Sequence, residues 1–96
     1  MDFQVRITEE ALIELEEIAE YSWRYFPATT SRFMSELLDH VERLGRFPYM
    51  GYPVQEWRGV RELIHTPILI YYSVQLSPDV VEVLHFWNAL KGPYRP

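Results

Sequence analysis

Val60-Arg61-Glu62-Leu63-Ile64, then Ile68-Leu69-Ile70-Tyr71-Tyr72-Ser73-Val74, then Val80-Val81-Glu82-Val83-Leu84-His85-Phe86-Trp87 follow one another near the end of the chain. Each run is short for a helix and rich in β-branched and aromatic residues, which suit a pleated, half-buried surface. Thr66-Pro67 closes the first run, and Ser77-Pro78-Asp79 supplies turn chemistry between the last two. Three consecutive antiparallel strands are predicted.

Working back from these strands, residues 45–59 are punctuated by Gly45, Pro48, Gly51, Pro53 and Gly59 and carry Phe47, Tyr49, Tyr52 and Trp57. They read as a long loop, either functional or packed down by its own side chains. Before the loop lie two helical patterns. In the first, Thr8 reads as the N-cap and Glu9 and Glu10 suit the positive helix terminus. Leu12, Leu15, Ile18, Ala19, Trp23 and Phe26 recur at spacings of three and four, predicting the buried stripe. Pro27 ends it. In the second helix Phe33, Leu37, Val41 and Leu44 share a stripe that Met34 and Leu38 widen, and Gly45 is the natural stop. The short link at residues 27–30 predicts an antiparallel hairpin. At the start, Phe3-Gln4-Val5-Arg6-Ile7 alternates with period two, as a strand does. The order β-α-α-β-β-β defines an α+β fold, with a helical hairpin packed on a mainly antiparallel sheet that the first strand joins.

At 96 residues, read as a single domain over 1–96, the chain needs an efficient core, and 48% hydrophobic and 16% aromatic residues supply it. The absence of cysteine excludes a disulfide framework and a thiolate metal site. No apolar run reaches membrane-spanning length and no signal peptide is visible, so a cytoplasmic protein without membrane contact is expected. A net charge of −5 argues against simple nucleic-acid affinity. Its distribution is uneven: ten acids against three bases over residues 1–42, four acids against six bases over 43–96. One weakly basic face is therefore compatible with an acidic whole.

Several stretches resemble the RelE/ParE toxins of type II toxin–antitoxin systems. Ala11-Leu12-Ile13-Glu14-Leu15-Glu16-Glu17-Ile18-Ala19-Glu20-Tyr21 is similar to the family's opening helix, and Leu44-Gly45-Arg46-Phe47-Pro48-Tyr49-Met50-Gly51 to its loop. Val60-Arg61-Glu62-Leu63, Ile70-Tyr71-Tyr72-Ser73-Val74 and Val81-Glu82-Val83-Leu84-His85-Phe86-Trp87 resemble its last three strands, in the family's order. The resemblance implies a toxin neutralised by a cognate antitoxin in a hetero-oligomer, as plasmid-stabilisation modules are. It implies one of two targets. ParE-like members bind DNA gyrase and lack nuclease residues, whereas RelE-like members are ribosome-dependent mRNA endonucleases. A homologue that only binds its antitoxin is a further alternative.

An mRNA interferase needs groups that activate a 2′-hydroxyl, stabilise phosphorane charge and protonate a leaving oxygen. Candidates for such catalysis are Arg61, His85, Lys91 and Tyr94, and Arg58, Arg61, Lys91 and Arg95 are candidate phosphate or target contacts. Leu69, Ser73, Asn88 and Leu90 stand where family members often carry cations or a histidine, which favours the gyrase-binding, non-enzymatic reading. Tyr49, Tyr52 and Trp57 are candidate partner anchors. Strict alternation places His85 on one face with Val83 and Trp87. His40, beside Asp39, reads as a surface residue and His65 ends a strand. Three scattered histidines give no metal-ligand spacing, so no metal and no other cofactor is expected.

Overall fold

In the computed structural model, which describes residues 2–94, β1 (Gln4–Ile7) leads into α1 (Glu9–Tyr25), and α2 (Thr30–Glu42) runs on into a 3₁₀ turn at Arg43–Gly45. There follow β2 (Tyr52–Pro53), β3 (Arg61–His65), β4 (Ile68–Gln75), β5 (Val80–Asn88) and a second 3₁₀ turn at Ala89–Lys91. The five strands form one sheet in the order β1-β5-β4-β3-β2. β1 pairs parallel with β5, and the remaining neighbours are antiparallel. The α+β architecture and its mainly antiparallel sheet are those expected from the sequence.

Thr8 caps α1 as read: its Oγ1 accepts the Ala11 N–H at 3.1 Å. The hairpin is stitched by hydroxyls. Buried Thr30 donates from Oγ1 to the Phe26 carbonyl at 2.8 Å and lies 2.7 Å from Ser22 Oγ. Leu37, Val41 and Leu44 bury fully, with Phe33 and Met34 packed beside them, so the α2 stripe holds.

The α1 stripe is rotated from its expected position. Ala11, Leu15, Ile18 and Ser22 turn inward, while Leu12, Trp23 and Phe26 are exposed along with Ile13, Tyr21 and Tyr25. The reason is steric: small side chains at 11 and 22 let the helix approach its neighbours, whereas counting large apolar residues favours the adjacent face.

Two further departures concern the sheet. Tyr71 pairs with His85 but Tyr72 pairs with Val83, so Leu84 is an extra residue in β5. This β-bulge breaks strict alternation. Val83 therefore faces the helices and is fully buried, while His85 joins Trp87 on the opposite face. The second departure is β2, inside the stretch read as loop. Tyr52 opposes Glu62 and Pro53 opposes Arg61, an edge position where proline's missing donor is tolerated. Gly51 permits this closure. A Cβ there would lie 2.7 Å from both the Glu62 carbonyl oxygen and Tyr72 Oη. The core lies between the hairpin and the sheet face built from Leu63, Ile70, Tyr72, Val81, Val83 and Phe86. The face away from the helices is called the open face below.

Candidate functional site

On the open face, β4 and β5 present Tyr71, His85 and Trp87, and loop and tail bring Trp57 and Tyr94 onto them. Tyr94 is central: its ring centroid lies 4.8 Å from Tyr71, 5.2 Å from His85, 5.3 Å from Trp87 and 6.0 Å from Trp57, nearly parallel to the last. Trp57 also meets Tyr71 and His85 at 6.0 and 5.7 Å. Such contacts join offset and edge geometries that favour ordered aromatic clusters. Trp87 Nε1 donates to the Gly92 carbonyl at 2.7 Å, which ties the tail to β5.

Carboxylates border this cluster. α1 crosses the edge of β5 just beyond the last residue that β1 pairs, where Thr8 N–H donates to the Val83 carbonyl. There Glu14 Oε1 accepts the Phe86 N–H at 3.2 Å, filling a position that a further β1 residue would otherwise occupy. The same carboxylate lies 3.1 and 3.2 Å from His85 Nδ1, and Glu10 Oε1 lies 3.7 Å from it. Burial, with Glu62 beside it, pushes the Tyr71 phenol well above its ordinary pKa. Burial also raises Tyr94, and Glu14 and Glu10 add to the effect. Both phenols are therefore protonated at neutral pH, able to donate a hydrogen bond but unsuited to act as bases.

Among the sequence candidates, His85 and Tyr94 meet, and Trp57 joins them. Arg61 does not. It opposes Tyr72 on the helix side of the sheet, and its Nη1 donates to the carbonyls of Gly51 at 2.7 Å and Tyr49 at 3.3 Å. Its guanidinium also lies 4.9 Å from the Tyr49 ring centre. Lys91 is exposed beside a depression shared with Glu14, Glu17, Tyr21 and Trp87. Arg58 is exposed in the turn before β3, Tyr49 and Tyr52 are exposed at the sheet's far edge, and Arg95 lies outside the described residues. Leu69 and Ser73 flank Tyr71 on the open face, and Asn88 caps the 3₁₀ turn by accepting the Leu90 N–H at 2.9 Å.

Sequence reasoning missed two groupings. Glu10 and Glu14 are one helical turn apart and visibly share a face, but His85 is remote in sequence and only the fold delivers it. His40, expected at the surface, is partly buried with its Nδ1 2.8 Å from His65 Nδ1. Burial lowers the His40 pKa, with the His65 and Arg43 charges adding to it. Elsewhere, an apolar groove of about 440 Å³ opens between the hairpin and the end of β5, lined by Ile18, Tyr21, Phe26, Phe33, Pro67 and Leu90. Among the described residues, no helix is long and apolar enough to cross a membrane.

The model of the ParE toxin of the type II toxin–antitoxin system parDE matches residues 5–91. The chain belongs to the ParE toxin family. It is accordingly a toxin of the type II toxin–antitoxin class. Two solved structures share the fold of this ParE-family chain. The chromosomal ParDE system from P. aeruginosa superposes with a TM-score of 0.77 at 18% identity, covering 90% of this chain and 95% of that one. The RelBE2 toxin–antitoxin complex from Mycobacterium tuberculosis gives 0.71 at 19% identity, covering 92% and 99%. Among curated proteins no sequence matches.

Proposed function

We propose that this ParE-family toxin acts in the cytoplasm by binding DNA gyrase without itself cutting nucleic acid, and that a cognate antitoxin silences it. One observation carries the choice of target class: three carboxylates, of Glu10, Glu14 and Glu62, border the aromatic cluster against the exposed Lys91 near Trp87, while Arg61 is held on the opposite side of the sheet by loop carbonyls. RNA cleavage requires fixed positive charge where the phosphorane develops, and carboxylates there repel a phosphate. The meeting of His85 and Tyr94 is the feature that favours the alternative, a RelE-like mRNA endonuclease. For the antitoxin, the apolar groove between hairpin and β5 suits the apolar face of an amphipathic helix. Structures of related fold come from toxin–antitoxin systems, which supports such a partner.

The deciding experiment induces the chain in a bacterium and follows plasmid supercoiling and protein synthesis together. Loss of supercoiling with translation initially intact is expected. Rapid translational arrest with mRNA cuts, abolished by His85→Ala or Tyr94→Phe, would replace the gyrase reading by the nuclease one. Absence of any growth defect would leave a homologue that only binds its antitoxin.

A further inference from the structure

We propose that Glu10, Glu14 and His85 form a binding site for a divalent transition metal of the zinc type, where α1 crosses the edge of β5. The donor atoms are His85 Nδ1 and carboxylate oxygens of the two glutamates, all within 4.8 Å of one another. Measured from Nδ1, the Glu14 oxygens lie at 3.1 and 3.2 Å and the Glu10 oxygen at 3.7 Å. A tetrahedral ion with bonds of about 2.0–2.1 Å holds its donors roughly 3.3 Å apart. Both carboxylates already lie within a few tenths of an ångström of that spacing from Nδ1. The exposed Glu10 side chain can rotate to bring its oxygen, within 4.8 Å of the others, to the same spacing from Glu14.

Three features favour a metal over an ordinary ion pair. The first is charge. One imidazole faces two carboxylates, so even fully protonated it offsets only one of them, whereas a dication offsets both. Glu10 makes the point: at 3.7 Å it is drawn toward His85 without a hydrogen bond to it. The second is orientation. The Phe86 N–H holds the Glu14 carboxylate from behind, and Trp57 and Tyr94 pack the His85 ring, the kind of outer support that fixes metal ligands. The third is local sequence. Glu10 and Glu14 stand four apart near the start of α1, so the helix projects both from one face without strain. A mixed nitrogen and oxygen donor set selects zinc-like ions over magnesium or calcium, which take oxygen alone. Three protein ligands leave a fourth position for water. The ion would clip α1 to β5 at the place where β1 stops pairing, and so stabilise the folded toxin.

The test is a titration of the chain, free of any affinity tag, with Zn²⁺ by calorimetry, accompanied by thermal unfolding at each concentration. One ion per chain, a Zn²⁺-dependent rise in Tm and no response to Mg²⁺ are expected. Glu10→Gln is the informative variant, because Glu10 is 73% exposed in its side chain and its loss leaves the packing intact. It should weaken Zn²⁺ binding at least about tenfold, the loss that removing even an outer-shell partner of a ligand causes, with the metal-free Tm unchanged. His40→Asn, which alters the other histidine grouping, should leave binding as it is. Failure to bind Zn²⁺, binding indifferent to Glu10→Gln, or binding removed by His40→Asn would each overturn the proposal.

Discussion

Replacing Gly51 by alanine adds one methyl group at the most crowded point of the β2–β3–β4 corner. Its carbon would sit 2.7 Å from the Glu62 carbonyl oxygen, 2.7 Å from Tyr72 Oη and 2.9 Å from Tyr72 Cε1. Two of these are atoms of the fully buried Tyr72 phenol and the third is strand backbone, so neither neighbour can swing aside. Overpacking of this kind costs about 1–3 kcal/mol. Movement of residue 51 would also lengthen the 2.9 Å bond from its N–H to Tyr72 Oη and the 2.7 Å bond its carbonyl accepts from Arg61. Each such bond is worth about 1 kcal/mol net, more when the donor is charged. Alanine's smaller unfolded-state entropy returns about 0.4–1 kcal/mol. The expected destabilisation is about 2–4 kcal/mol, which for a domain of this size lowers Tm by about 10–25 °C.

The assay is urea and thermal unfolding of Gly51→Ala, Tyr72→Phe and the double variant. Tyr72→Phe should cost about 1–3 kcal/mol, since the buried Gly51 N–H loses its acceptor. The same phenol oxygen is both hydrogen-bond partner and steric obstacle, so the double variant should lose less than the two singles together, by about 0.5–1 kcal/mol. A Gly51→Ala protein within about 0.5 kcal/mol of the parent, or strict additivity, would refute the reasoning.

Arg61→Ala should lower the urea midpoint by an amount equivalent to about 1–3 kcal/mol, because two loop carbonyls lose their donor, and Arg61→Lys should restore only part of it. Glu14→Ala should cost about 1–3 kcal/mol by leaving the Phe86 N–H without its acceptor, while Glu14→Gln, which keeps a carbonyl there, should cost less. Leu90→Glu, at a residue 78% exposed, should leave Tm unchanged but weaken antitoxin binding at least tenfold in a calorimetric titration if the antitoxin occupies the apolar groove. Because the folded-state pKa of His40 is lowered, its contribution to stability is fully present above its unfolded pKa of about 6.5 and is lost as pH falls from there through the lower folded-state pKa. A Tm that declines on acidification below about pH 6.5, and declines less in His40→Asn, is the expected result.

Much of this architecture is legible in the residue order. Period-two and period-three-to-four patterns, the Thr8 cap, the break at Pro27 and the turn at Ser77-Pro78-Asp79 are local signals that depend on backbone geometry, and the fold obeys them. Even the sparse cations that weaken a nuclease reading are visible without coordinates. Local pattern fails where side-chain size and pairing compete with it. Ala11 and Ser22 face inward because close approach matters more than hydrophobicity there, and Leu84 is inserted as a bulge that no count of alternating residues reveals.

The candidate site belongs mainly to tertiary structure. Sequence alone determined the α+β class, the order along the chain of every strand but the short β2, the resemblance to RelE/ParE toxins and the residue types available for chemistry. Only the packed sheet decided that Arg61 anchors a loop on one side while His85, Trp57 and Tyr94 gather on the other. It also brought Glu10 and Glu14 to His85, and His40 to His65. The physical reason is common to these cases. Propensity and periodicity act over a few residues, whereas faces, partners and charge neighbours are set by strand register and helix docking between segments far apart in the chain.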